Sequence, residues 1–183
     1  MDGENDLMLQ PNEEAFDRWQ MRALMFYVAA KHLRATGQSR MLPPSAFCVF
    51  QAIENMLKAV GFFHDPNFHP EKFNHDILKL IGHLEKLGLD VNHIKIPTHW
   101  IRWQEFTRYP DKGFFLGNED IQFLDKIFTD LIELVPFQFS NGLLAHILWD
   151  GNYNWEREIL QEDNQHVQRL EAAAKRNLRS PSP

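Results

Sequence analysis

Four stretches of this chain repeat apolar residues at steps of three and four, and no long run alternates apolar with polar residues. Those two facts confine the fold to helices packed on helices. Phe16, Trp19, Ala23, Phe26, Tyr27, Ala30 and Leu33 trace one face of a helix predicted over 13–36, with Gly37 as its stop. Pro43 and Pro44 break the chain. Ser45 is then the expected N-cap of a second helix reaching about Val60, whose buried side carries Phe50, Ile53, Met56 and Leu57, and Gly61 is its expected end. Residues 61–73, with two prolines, read as a loop. A third helix is predicted over 74–87 with Asn74 as N-cap, an apolar stripe from Ile77 to Leu87 and Gly88 closing it. Asn118 caps a fourth, with Leu124, Ile127, Phe128 and Leu131 on its face and Pro136 stopping it.

The expected architecture is therefore all-α, an up-and-down antiparallel helical bundle over 13–136. Residues 1–12 read as a flexible acidic leader, 137–178 as a C-terminal helical extension and 179–183 as a disordered tail. Between the third and fourth helices the chain is irregular, apart from a short helix expected from Trp100 to Arg108.

Charge and cysteine content narrow the chemistry. A formal charge of −6 argues against the broad basic field of a non-specific nucleic-acid binder, though not against a local basic cleft. Cys48 is the single cysteine, so an internal disulfide and a Cys-based zinc site are both excluded, and its apolar neighbours make it a small buried hydrophobe. The acidic start lacks the features of a signal peptide, and the uncharged apolar runs are short for a membrane span, so a cytoplasmic protein without a membrane partner is expected.

Nine histidines raise the question of a metal, but His64, Asp65, His69 and His75 have no tight ligand spacing. No metal and no cofactor is expected. Glu54 and Lys58 stand four apart on the second helix, at the edge of its buried side; on the surface such a pair contributes a few tenths of a kcal/mol. His75 and Asp76 stand at the start of the third helix, where an acid complements the helix dipole. On spacing alone helix architecture accounts for these four residues better than a site does.

Taken in order, AIENMLKAVGF at 52–62, FNHDILKLIGHLEKLG at 73–88 and EFTRYPDKGF at 105–114, followed by the helix from Asn118, resemble the HEPN domain family over residues 13–135. The resemblance implies a helical bundle that homodimerises around a cleft and serves toxin–antitoxin or defence-type systems, as a ribonuclease or as a nucleotide- or RNA-binding module. It places Glu54, Lys58, His75, Asp76, Arg108 and Tyr109 on the family's recurring polar positions. The ribonucleases of the family use an Arg followed by a His after four to six residues, and no Arg here has one. The resemblance thus implies a non-catalytic member binding nucleotide, RNA or a partner protein. Two alternatives stand beside it. One is a variant metal-independent ribonuclease using Arg108 with His75 or His83; the other is a structural scaffold with residues 155–178 as a docking arm.

Overall fold

The computed structural model describes residues 11–37, 39–92, 94, 96 and 118–135. Four α-helices account for most of them: α1 (Pro11–Ala35), α2 (Leu42–His64), α3 (Ile77–Lys86) and α4 (Asn118–Glu133), with single 3-10 turns at Ser39–Met41 and Pro70–Lys72. No strand occurs among the described residues, as the periodicity predicts. The expected leader is shorter by two residues, since α1 already begins at Pro11; its residues 1–10, residues 100–108, Pro136, the 137–178 extension and the tail lie outside the described residues.

Helix α2 is the hub. Every residue from Ala52 to Gly61 is buried, so all its faces are covered, and α1, α3 and α4 each pack against it. α2 is long and apolar enough to cross a membrane, but most of it is covered by the rest of the chain, and Glu54 and Lys58 interrupt its middle.

Ring and hydrogen-bond pairs give the helix directions. Phe16 near the start of α1 meets Phe63 at the end of α2 (centroids 5.4 Å apart), while Ser45 Oγ at the start of α2 donates to Ala30 O late in α1 at 3.0 Å. The two are antiparallel. Tyr27 stacks on Phe128 at 4.2 Å, and Arg34 reaches back to Asp125, so α4 is antiparallel to α1 and runs with α2. At the far end the His64 Nε2–H donates to the carbonyl of Leu134 (3.0 Å).

Several predicted boundaries move, each for a local reason. Ser45 is no N-cap: α2 begins at Leu42, with Met41 before it, and Pro43 and Pro44 occupy the first turn, where a missing N–H breaks no helical bond. Ser45 is freed to satisfy a carbonyl of α1 instead. Gly61 does not stop α2, which continues to His64. Its role is clearance: a Cβ there would sit 2.6 Å from two ring carbons of Phe68, which folds back over the helix and is itself buried.

Asn74 is likewise no N-cap. It lies in the left-handed region (φ +49°), a conformation asparagine tolerates, and Asp76 caps α3 two residues later. Asp76 Oδ1 accepts the Lys79 N–H at 3.1 Å and Oδ2 meets Lys79 Nζ at 3.1 Å. The expected closure at Gly88 holds. With φ +84°, Gly88 directs its N–H to Glu85 O and that of Leu89 to Leu84 O, the paired bonds that finish a helix with a left-handed residue.

α3 departs from the antiparallel scheme. His75, just before it, sits beside Glu54 in mid-α2, whereas His83 near its end meets Asp65, just after α2. Residues 65–75 therefore run back along α2, and α3 advances again in the same sense as α2.

The cap makes one contribution depend on pH. The Lys79 backbone N–H, with further help from its ammonium, holds the Asp76 carboxyl below its ordinary value. Because the folded-state pKa is depressed, this contribution is present above the ordinary carboxylate value and is lost as pH falls through the lower folded value. Asp76→Ala should cost about 1 kcal/mol at neutral pH, the usual worth of an N-cap. The difference between wild type and variant in urea melts should shrink toward pH 2; a gap that persists there would show that the effect is not the cap's.

Candidate functional site

Helix α2 and the fold-back segment bring three of the six candidate residues into one cluster. The Glu54 carboxylate, 3% exposed, accepts the Lys58 ammonium at 2.7 Å through Oε1. The same carboxylate accepts the His75 Nδ1–H, at 3.0 Å to Oε1 and 3.1 Å to Oε2. Lys58 is 8% exposed and lies against the Trp19 ring of α1, 4.8 Å from its centroid. His75 alone of the three faces solvent, with 59% of its side chain exposed.

Local sequence explains the arrangement. The four-residue step between Glu54 and Lys58 puts both on one side of α2, and the neighbouring α1 turn supplies the indole. The left-handed Asn74 turns the chain so that His75 falls back on α2 before Asp76 starts the next helix. Asp76 joins the site only by adjacency, since its carboxylate is engaged by Lys79. Arg108 and Tyr109 lie outside the described residues.

The geometry defines what each group can do. A carboxylate on Nδ1 fixes the neutral imidazole in the tautomer that leaves Nε2 as an acceptor. Nε2 has no partner among the described residues. The Lys58 ammonium lies between Glu54 and the Trp19 ring, where it balances the carboxylate. Its contact with the indole adds about 0.5–2 kcal/mol of attraction in such a desolvated place.

Three further polar contacts escaped the sequence reading. The His83 Nε2–H donates to Asp65 Oδ2 at 3.1 Å, with the rings of Phe68 and Phe73 beside the imidazole. His64 binds the Leu134 carbonyl as described above. Asp125 of α4 accepts from Arg34 at 2.7 Å and lies 3.5 Å from the Lys31 ammonium; Lys31 and Asp125 are each 1% exposed. The last had a readable signal. Lys31 stands four residues beyond Tyr27 and Asp125 one beyond Leu124, so a cation and an acid each interrupt an apolar stripe.

Among the described residues no three His, Cys, Asp or Glu side chains converge as metal ligands would. Burial pushes the Cys48 thiol above its ordinary value, away from thiolate chemistry. Comparison with family models, with curated proteins and with solved structures finds no match to this chain.

Proposed function

We propose that this chain is a HEPN-like helical module that binds a phosphate-bearing ligand, nucleotide or RNA, without cleaving it. The observation that carries the reading is the Glu54 carboxylate, buried in the hub helix, which holds Lys58 inside and presents His75 outside. An ion pair at the centre of the most apolar helix is a poor way to gain stability, because burying two charges costs several kcal/mol that their attraction only partly returns. An outward imidazole backed by that pair gives the arrangement a use: Nε2–H of the protonated ring donates to a phosphate oxygen. In this reading Arg108 joins the site from the Arg-Tyr-Pro segment, with Tyr109 and Pro110 shaping the chain there. The functional unit is a cytoplasmic homodimer in a toxin–antitoxin or defence-type system, and residues 155–178 would serve as the arm that holds a protein partner.

The test is equilibrium binding of adenine nucleotides and short single-stranded RNA, followed by fluorescence anisotropy. His75→Ala should weaken binding by about 1–3 kcal/mol, the worth of one charge-assisted hydrogen bond, with the melting temperature unchanged. Added salt should weaken binding to RNA. A wild-type chain that binds neither ligand ends this reading. The Glu54–His75 pair also favours a second one, since it contains a general base. RNA cut in the presence of a chelator, and left whole by His75→Ala, would establish the metal-independent ribonuclease instead.

A further inference from the structure

The pairing of a buried carboxylate with an exposed imidazole has a chemical consequence beyond binding. We propose that His75 is a phosphoryl-accepting histidine, modified on Nε2 by a donor of the phosphoramidate or acyl-phosphate class. The proposal does not depend on the ligand-binding reading; it needs only the geometry of Glu54 and His75.

In the neutral ring the Nδ1–H is committed to both oxygens of Glu54, so the Nε2 lone pair is the one presented to solvent. Attack on phosphorus forms the N–P bond as the donor's P–N or P–O bond breaks, and the leaving amine or carboxylate departs with that bonding pair. The ring becomes an imidazolium that retains its Nδ1 proton. Its positive charge then lies against Glu54, whose environment screens it little. Lys58 holds the carboxylate in place, so Glu54 and Lys58 are positioning residues and His75 is the nucleophile.

The chain contains its own control. His69 is about as exposed as His75 (53% against 59% of the side chain) and its Nδ1 also meets a carboxylate, Glu71, at 3.1 Å. Glu71 is 69% exposed, whereas Glu54 is 3% exposed, so the two histidines differ chiefly in the burial of the acid behind them.

The experiment treats the full chain with potassium phosphoramidate and follows each histidine by peptide mass spectrometry at neutral pH. His75 should gain one acid-labile phosphoryl group on the order of tenfold faster than His69, as expected for an imidazole oriented by a desolvated carboxylate. Glu54→Gln should lower the His75 rate to that of His69. If Glu54→Gln fails to fold, Glu54→Gln combined with Lys58→Met removes the unpaired ammonium, and circular dichroism checks its helix content. Reading the ratio of two histidines in one molecule separates positioning from a general loss of stability, which would alter both. Equal rates at His75 and His69 in the wild type, or an unchanged ratio in the Glu54 variants, would overturn the proposal. Phosphoramidate has neither base nor ribose, so labelling can succeed where nucleotide and RNA binding fail, and the reverse.

Discussion

Glu54→Leu should destabilise the chain by about 3–5 kcal/mol, because it leaves the Lys58 ammonium buried against Trp19 without a counter-charge. That loss is a large share of the stability of a typical domain. The companion variant is more telling. Glu54→Leu with Lys58→Met removes both charges and keeps roughly their volume, and should return to within about 1 kcal/mol of wild type or exceed it. Urea denaturation of the three proteins makes the comparison. If the single change costs less than about 1 kcal/mol, the carboxylate does not balance Lys58. If the double variant is stable but does not bind ligand, the ion pair serves the site rather than the fold.

Asp125→Leu should be comparably severe, at about 3–5 kcal/mol, for a different pair of helices. It removes the carboxylate that Arg34 and the fully buried Lys31 share, and so withdraws a buried negative charge from between α1 and α4. One oxygen of Asp125, Oδ1, has no hydrogen-bond partner among the described residues, yet the carboxylate still sets its charge against both cations. Lys79→Ala is the contrast, since it removes an exposed partner of Asp76 and should change stability by less than about 0.5 kcal/mol. Similar losses for Asp125→Leu and Lys79→Ala in the same denaturant series would show that burial does not set the cost here.

What could be read in advance divides by the range of the interaction. Helix existence was legible because a 3.6-residue period is written locally, and Gly37 and Gly88, both with positive φ, ended their helices as expected. The glycine at 61 misled because the reason for it is Phe68, seven residues on, reaching back over the helix. Ser45 and Asn74 misled in a related way. Each is a good cap in isolation, but Ser45 answers to a carbonyl fifteen residues earlier, and Asp76 outcompetes Asn74 for the helix start. Of the candidate site, the i,i+4 pair was visible and its burial was not, because burial depends on α1 and α3 closing over α2. The convergence of His75 on Glu54 depended on the course of residues 65–75, which no periodicity encodes.

The ion group joining α1 to α4 also bears on the order in which the chain assembles. α1 and α2 are neighbours in sequence, joined by a short turn, so their pairing closes a small loop and can form early. Asp125 is 94 residues from Lys31 and 91 from Arg34, and bringing it home closes a far longer loop. Until it arrives, the inner face of the α1–α2 hairpin presents Lys31 and Arg34 among apolar residues without this aspartate. A nascent chain released before α4 would hold a half-built interface of that composition, apolar and cationic together. That surface is covered only when α4 packs, so completion of α4 is the step that closes it.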